Sequence, residues 1–485
     1  MARHPYSQSD PATSVRSVNT FRSAARPIDD AEALRISNRI DEELKREREA
    51  IRRRRAQKTE VKVILLGQAE SGKSTLQKQF QLYYASKSLD GERPSWRPVV
   101  YFNVIKAVRM ILDEIDWNES ATSATSTTTS AATSDPSSSQ SQPVASTSQT
   151  PPARPASPPS SPPATHSDLS AGISELRAKL LPLVALEDTL ASELNGGVTV
   201  SGGRSGVFVR AGWQTLVSPN RNRSIANNAK VPAITSMAAK GLAETVDAIE
   251  ELWKHPAVRQ LLARRKLRLE ESAAFFLDSI YRIAESEYLP STEDILNVRL
   301  QTLGVIEHSF DISLAGLSFN WLMYDVGGAR GQRHAWVPYF DDATAIIFLA
   351  PMSAYDQYLE EDPRTNRIDD SLQLFTAIVQ NKLLQKAALV LMLNKADLLR
   401  QKLEAGIPVK KYITSYGDRP NTYEEVSEYF RAHFIQIHKK KDISQPRRSL
   451  YVHFTKLLDV KATQQIICHA GEAIIQSYMR QSGLA

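Results

Sequence analysis

A glycine-cornered octapeptide directly behind an apolar run constrains this chain more than any other stretch. The run Val61 to Leu66 predicts a buried strand, and it leads into Gly67-Gln-Ala-Glu-Ser-Gly-Lys-Ser74. Two glycines at this spacing let backbone N–H groups turn towards a phosphate chain, while Lys73 reaches the outer phosphates and Ser74 offers a hydroxyl to Mg²⁺. The alternative is a tight strand-to-helix turn without a ligand. The helical pattern of Thr75 to Leu82 favours the phosphate-binding loop.

The composition is that of a globular protein in a reducing compartment. The 485 residues allow two or three domains, and 42% of them are hydrophobic and 24% charged. No apolar run approaches the roughly 20 residues of a membrane helix, and the polar start lacks a secretory core. The single cysteine, Cys468, excludes an internal disulfide and a cysteine zinc cluster, and we expect it to pack in a core. A cytoplasmic protein is therefore predicted.

The positive charge of the chain is local. Much of the net charge of +6 comes from the runs 52–55 and 439–441, and the rest of the sequence is mixed in sign. Nucleic-acid binding normally needs a basic face that is spread over a domain. We therefore expect no nucleic-acid partner.

Three segments differ in composition from the rest of the chain. Residues 1–30 are polar and contain proline, which predicts a disordered tail. Residues 31–58 carry apolar residues at helical spacing among dense charges, which predicts an exposed amphipathic helix, with or without a partner. Residues from about 119 to 167 are rich in Ser, Thr, Ala and Pro and lack the apolar groups that offset ordering entropy. We predict a disordered insertion there.

The remaining sequence has two textures. Residues 91–290 show helical patterns without a convincing strand, including the stretch Ala257 to Tyr288, and predict a helical domain. Residues 59–90 and 291–485 alternate strands with helices, as a parallel α/β sheet requires. The predicted strands beyond residue 300 are Phe319 to Val326, Ala345 to Ala350, Ala388 to Leu393 and Ser449 to Phe454. Ligands of such sheets bind beyond the carboxyl ends of the strands.

Two further motifs follow these strands. In Asn394-Lys-Ala-Asp397 the aspartate can accept hydrogen bonds from the N1–H and the exocyclic amine of guanine, a pair that adenine does not offer. Asn394 can tie this loop to the phosphate loop, and the stem of Lys395 can cover the base. Asp325-Val-Gly-Gly328 places a carboxylate near Mg²⁺ and a backbone N–H near a γ-phosphate. Without this context, the two motifs would read as a surface turn and a Gly-Gly turn.

With these motifs the chain resembles the α subunits of heterotrimeric G proteins. The resemblance includes FFLDSIYRIAESEYLPSTEDIL, SAYDQYLEEDPRTNR, LQLFTAIVQNKL and NTYEEVSEYF, and it runs from about Ile36 to the C-terminus outside the insertion. It implies an α/β fold, with a P-loop GTPase (Ras-like) parallel-sheet domain and an inserted all-α helical domain that closes over the nucleotide. It also implies a GTPase that uses Mg²⁺ and binds GTP and GDP. Two of its loops would change conformation according to whether the γ-phosphate is present.

The resemblance also implies roles for individual residues. Arg299 would neutralise charge during phosphoryl transfer and pair with Glu70, while Ala329 occupies a degenerate catalytic position. Mg²⁺ would be held by Ser74 and Thr302 and, through water, by Asp325. The implied nucleotide contacts are Gly67, Glu70, Ser71, Gly72, Lys73, Ser74, Thr75, Gly328, Asn394, Lys395, Asp397 and Leu457.

The chain departs from the family at two places in the site. Ala329 replaces the glutamine that orients the attacking water, and a methyl group can neither donate to that water nor accept from it. Slow intrinsic hydrolysis and a long-lived GTP state follow, although the arginine supplied in cis, worth about 10³–10⁵ in rate, is present. Gln332, three residues on, is the alternative group that reaches back. Leu457 stands beside the base where the family has alanine.

The implied partners are those of the family. They are a βγ dimer, bound through the N-terminal helix and the segment Arg330 to Trp336, a G protein-coupled receptor, an RGS protein and an effector that the sequence does not identify. Ala2 replaces the glycine of a myristoylation signal, and no N-terminal cysteine is present for palmitoylation. Peripheral contact with the inner face of the plasma membrane would then rest on residues 52–55 and the βγ dimer.

Two other functions stay open at this stage. The first is a GTP-binding signalling scaffold with negligible turnover, which Ala329 favours. The second is an unrelated P-loop ATPase in which the Asn394-Lys-Ala-Asp397 motif is coincidental.

Overall fold

A six-stranded sheet lies at the centre of residues Glu60–Ala485, one of two compact units; the other is Met1–Thr59. The computed structural model describes residues 42, 45, 46, 59–128, 166–196, 208, 209, 211–214, 231–264, 267, 269–314 and 316–481. In the first unit, Glu42 and Arg46 are helical and pair at 3.5 Å. The predicted tail 1–30 and most of the predicted helix 31–58 lie outside the described residues.

The strands form where the sequence has short apolar runs. In chain order they are β1 (Thr59–Gly67), β2 (Phe208–Val209), β3 (Gln301–Thr302), β4 (Val305–Leu314), β5 (Leu317–Val326), β6 (Ala345–Pro351), β7 (Ala388–Asn394) and β8 (Leu450–Thr455). The large sheet has the order β4-β5-β1-β6-β7-β8. Strand β6 runs parallel to β1 and β7, and β7 runs parallel to β8. The predicted strands are thus present, with bounds shifted by one or two residues.

An antiparallel hairpin at one edge adds to the predicted parallel sheet a strand that the sequence patterns did not indicate. Strand β4 pairs antiparallel with β5, and the sequence analysis did not identify β4. Its side chains alternate between exposed Glu307, Ser309 and Asp311 and buried Phe310 and Ile312. A half-buried edge strand therefore lacks the continuous apolar run that marks the central strands.

Layers of helix cover both faces of the sheet. Successive side chains of β1 point to opposite faces, so Ile64 and Leu66 enter one core and Val63 and Leu65 the other. Every residue of β6 and β7 is buried, as two covered faces require.

The helices fall into two groups. Those that flank the sheet are α1 (Lys73–Tyr84), α10 (Arg367–Val379), α11 (Ala396–Glu404), α12 (Tyr423–Lys441) and α13 (Val460–Gln481). Those between residues 86 and 297 are α2 (Ser86–Thr128), α3 (His166–Val184), α4 (Glu187–Leu194), α5 (Val231–Lys254), α6 (Pro256–Ala263), α7 (Ala273–Asp278), α8 (Ile280–Ile283) and α9 (Thr292–Asn297). Within the described ranges, no helix is both long and apolar enough to cross a membrane.

The second group, here called the helical module, has its own core. Its structure differs from the sequence predictions at three places. The stretch Ala257 to Tyr288 is broken into α6, α7 and α8 rather than continuous. Helix α2 extends to Thr128, so the start of the predicted insertion is helical, and residues 129–165 lie outside the described residues. The strand β2 pairs in parallel with β3. Two residues carry no periodic signal, which explains why sequence patterns missed this strand.

We expect Phe348→Ala to lower the free energy of unfolding by about 3–5 kcal/mol, because a large cavity would open in the sheet core. Phe348 is fully buried in β6, with the rings of Phe375 and Phe434 at 5.1 and 6.2 Å. Urea unfolding measures the change. The control Leu317→Ala, at a side chain 48% exposed, should change it by no more than about 0.5 kcal/mol. Equal losses in the two variants would contradict this assignment of the core.

Candidate functional site

A cavity of about 490 Å³ lies beyond the carboxyl ends of β1, β5 and β7. The phosphate loop, the segment after β5 and the loop after β7 line one side, and the helical module contributes residues such as Glu271 and Ser272. Because these strand ends converge at one edge of the sheet, motifs that are far apart in sequence share one wall.

The loop between β1 and α1 is held by a strained glycine and by bonds from the Lys73 side chain to the loop's own carbonyl oxygens. Gly72 has φ 103°, a conformation that side chains rarely adopt, and a Cβ there would lie 2.3 Å from Asn394 Nδ2. Lys73 Nζ donates to Gly67 O at 3.0 Å and to Gln68 O at 2.6 Å. Burial lowers the pKa of Lys73 to about 8. The loop thus curls around a buried cation.

Asn394 joins the phosphate loop to the loop that follows β7. Its Nδ2 donates to Ser71 O at 2.8 Å, and its Oδ1 accepts from Thr455 Oγ1 at 3.0 Å. Its side chain is buried, so both bonds are shielded from water. One carboxamide therefore fixes three strand ends relative to each other.

Lys395 and Asp397, which follow Asn394, and Leu457, which follows β8, line the same cavity. Lys395 Nζ lies 2.5 Å from Glu271 Oε2 of the helical module, and burial lowers the pKa of Lys395 to about 8. Asp397, in the first turn of α11, lines the cavity. Leu457 is buried, and a Cβ on Gly72 would lie 3.0 Å from its Cδ1. Leu457 therefore packs on the phosphate loop.

Three oxygen ligands converge beside Lys73. Ser74 Oγ donates to Asp325 Oδ2 at 2.6 Å, Thr302 Oγ1 donates to the same oxygen at 3.0 Å, and the two hydroxyls are 3.1 Å apart. Asp325 Oδ1 is buried and has no hydrogen-bond partner among the described residues. Hydroxyl and carboxylate oxygens with a spare buried acceptor fit Mg²⁺, which takes few protein ligands beside phosphates and water. In the described ranges, no group of three His, Cys, Asp or Glu side chains offers another metal site.

Glu70 lies between two arginines. It forms an ion pair with Arg299, and its Oε2 lies 2.8 Å from Arg367 Nη1. Burial lowers the pKa of Arg299 to about 10. Arg367 also donates to Ala69 O at 2.5 Å. Sequence reasoning missed Arg367, although it stands in the matching motif SAYDQYLEEDPRTNR.

The segment after β5 lies against the phosphate loop. A Cβ on Gly328 would lie 2.3 Å from Ala69 N, so only glycine permits this approach. Ala329 and Gln332 also line the cavity. Trp336 is buried in the 3₁₀ segment Arg330–Tyr339, and its Nε1 donates to Gly327 O at 2.9 Å.

A buried carboxylate anchors the same segment. Asp370 in α10 accepts from Arg333 at 2.6 and 3.1 Å, from Arg330 at 3.1 Å and from Gln68 at 2.7 Å. Burial would raise the pKa of Asp370, but the hydrogen bonds and charge of Arg333, with Gln68 and Arg330, hold it below its usual range. No role for Asp370 was predicted from the sequence, because two acidic residues in the first turn of a helix are ordinary.

The structure brings the predicted site residues together. Those that line the cavity are Glu70, Gly72, Lys73, Ser74, Thr75, Arg299, Thr302, Asp325, Gly328, Ala329, Asn394, Lys395, Asp397 and Leu457. Gly67 and Ser71 lie behind this wall, where their carbonyl oxygens accept from Lys73 and Asn394. Cys468, expected in a core, is only partly buried and lies 3.1 Å from Tyr83 Oη.

Comparisons with known proteins agree with this geometry. Residues 34–474 match the family model "G-protein alpha subunit". The chain is 33% identical to guanine nucleotide-binding protein alpha-4 subunit of Mycosarcoma maydis, over 87% of this chain and 83% of the relative. It is 28% identical to the alpha-1 subunit of the same fungus (94% and 98%) and 26% identical to subunit alpha-13 of Mus musculus (97% and 98%). The predicted fold class, a P-loop GTPase domain with a helical insertion, is confirmed, and the chain belongs to the G-protein alpha subunit family.

Proposed function

We propose that this protein is a GTP/GDP switch whose own hydrolysis of GTP is slow. The contact that carries the proposal is made by Asn394, because its bonds to Ser71 and Thr455 join the base-reading loop and the phosphate loop into one site. Asp397 lines the same cavity and offers the acceptor pair that suits guanine. The catalytic and nucleotide-binding roles of the predicted site residues belong to this proposal.

The proposed chemistry is phosphoryl transfer from GTP to water. Mg²⁺, held by Ser74 and Thr302 and through water by Asp325, would supply charge neutralisation at the β- and γ-phosphates. Lys73 binds the outer phosphates. Arg299, oriented by Glu70, neutralises the charge that develops on the transferred group. Arg367 holds Glu70 from the other side and so positions this pair.

Ala329 is the reason for proposing slow hydrolysis of GTP. It faces the cavity next to Gly328 and carries no group that can orient a water. Binding and switching need no such group, so the switch is slow to turn itself off. The competing function, a GTP-binding scaffold with negligible turnover, rests on the same substitution and differs in predicting no measurable hydrolysis.

The proposed partners follow from family membership. The switch segment Arg330–Tyr339, anchored by Asp370, would be released or held according to the nucleotide, and the βγ dimer would bind it in the GDP state. A G protein-coupled receptor would drive exchange, an RGS protein would act on the GTP state, and an effector would read that state. The proposed location is the cytoplasmic face of the plasma membrane, as a peripheral protein.

A nucleotide titration tests the switch. A nonhydrolysable GTP analogue with Mg²⁺ should change the tryptophan fluorescence, because Trp336 is tied to Gly327 next to the γ-phosphate position. GDP should bind without that change, ATP should not compete, and Trp336→Phe should abolish the signal but not the binding. Competition by ATP at similar concentrations would instead support an unrelated ATPase.

Ala329→Gln should raise the single-turnover rate of GTP hydrolysis by about 10²-fold, since one well-placed transition-state contact is worth that much. The rate is measured with preloaded, labelled GTP after addition of Mg²⁺. His334→Gln, at an exposed position of the same segment, is the matched control and should leave the rate unchanged. An unchanged rate in Ala329→Gln would refute the assignment of position 329.

Asp370→Ala should lower the free energy of unfolding at pH 7 by about 3–5 kcal/mol, because it leaves Arg333 and Arg330 without their buried partner. The folded-state pKa of Asp370 is depressed, so its stabilisation is present above the unfolded-state value and is lost as the pH falls through the folded-state value. The difference in the free energy of unfolding between the wild-type protein and Asp370→Ala should therefore become smaller below about pH 4. Urea unfolding at several pH values measures it, with exposed Asp369→Ala as the control. A difference that does not vary with pH would contradict the ion-pair origin.

A further inference from the structure

The side chain of Gln332 is folded back towards the cavity. Its backbone N–H donates to Ala329 O at 3.0 Å, so the first 3₁₀ turn brings residue 332 over position 329. Its side-chain oxygen, Oε1, is buried and accepts no hydrogen bond from the described residues. Gln332 nevertheless lines the cavity beside Ala329 and Gly328. A buried acceptor without a partner is costly, and here it borders the space in which a reacting water would move.

Gly327 shows where this oxygen lies. A Cβ built on Gly327 would be 1.6 Å from Gln332 Oε1 and 2.7 Å from Thr302 O. The separation of the two oxygens cannot exceed the sum of those distances, which is short enough for one water to donate a hydrogen bond to each. Both oxygens belong to segments that carry the proposed metal and γ-phosphate contacts, namely Thr302 and the residues after Asp325.

Two nearby side chains of the phosphate loop make other contacts, and the unpaired Oδ1 of Asp325 belongs to the proposed Mg²⁺ site. Glu70 pairs with Arg299 and Arg367. The amide nitrogen of Gln68 donates to Arg367 O and to Asp370. Ala329 has no polar atom in its side chain. Among the described residues that line the cavity, Gln332 places an unpaired neutral acceptor beside position 329, where its chemistry suits a water at the γ-phosphate.

We propose that Gln332 orients the attacking water in place of residue 329, with Thr302 O as the second acceptor. This inference rests on the proposed function and adds to it the group that sustains the remaining turnover. Two acceptors fix both protons of the water, so a lone pair of its oxygen points away from them and is free for attack.

The step balances without another reactant. The water oxygen forms a bond to the γ-phosphorus, the bond between that phosphorus and the β–γ bridging oxygen breaks, and its electron pair leaves with GDP. One water proton passes to an oxygen of the transferred group and the other stays on the attacking oxygen, which gives GDP and dihydrogen phosphate. Gln332 only orients the water and exchanges no proton.

Single-turnover hydrolysis of preloaded GTP tests the inference. Gln332→Met keeps the length of the side chain but removes the acceptor, and it should slow the reaction about tenfold or more. Gln332→Glu keeps an acceptor oxygen and should stay within about threefold of wild type. Gln373→Met, the same substitution at an exposed position of α10 outside the cavity, is the matched control and should leave the rate unchanged. The affinity for a nonhydrolysable GTP analogue should be the same in all of these variants.

A second background separates orientation of the water from a structural role. In Ala329→Gln, residue 329 supplies its own acceptor, so adding Gln332→Met should cost less than about twofold. The inference would be overturned if Gln332→Met reduced the hydrolysis rate equally in both backgrounds, or if its rate stayed within twofold of wild type. Neither result would contradict the proposed GTP/GDP switch. Failure of the wild-type protein to bind GTP analogue or GDP would overturn the proposed function, and with it the inference.

Discussion

The carboxamide of Asn394 makes the contacts on which the site depends. Its amide nitrogen is bonded to the phosphate loop at Ser71, and its oxygen to Thr455 at the end of β8. Because all three segments leave parallel strands at the same edge, a single buried side chain can set the distance between the phosphate loop and the loop that follows β7. A Cβ on Gly72 would collide with this carboxamide, so the phosphate loop and Asn394 constrain each other.

The same site concentrates buried positive charge. Burial lowers the pKa values of Lys73 and Lys395 to about 8 and that of Arg299 to about 10. The carboxylates Glu70 and Glu271 offset part of this charge. A polyphosphate brings the remaining negative charge, and its binding therefore favours the protonated form of each group. The electrostatics fit an anionic ligand better than a neutral one.

Sequence patterns predicted the elements that depend on local signals. The phosphate loop, the motif at Asn394 and the central strands were recognisable because residue type and apolar runs specify them. The hairpin strand β4 was missed because a half-buried edge strand lacks a continuous apolar run, and the pairing of β2 with β3 because two residues carry no periodic signal. The break between α6 and α7 was also missed. Arg367 and Asp370 were missed because an arginine and an aspartate in a helix are ordinary until contacts with residues distant in sequence bury them beside Glu70 and Arg333. The position of Gln332 likewise depends on the 3₁₀ turn that follows Ala329.

The short pairing of β2 with β3 couples the helical module to the backbone at Thr302. Val209 of the helical module lies in register with Thr302, and the N–H of the next residue, Leu303, donates to Val209 O at 2.9 Å. The backbone that presents the Thr302 hydroxyl is therefore the same backbone that clasps the module. Moving the helical module away from the cavity would break this bond and shift the backbone beside Thr302, and the Lys395 to Glu271 pair would separate in the same movement. The position of the module and the position of the Thr302 hydroxyl are therefore mechanically coupled.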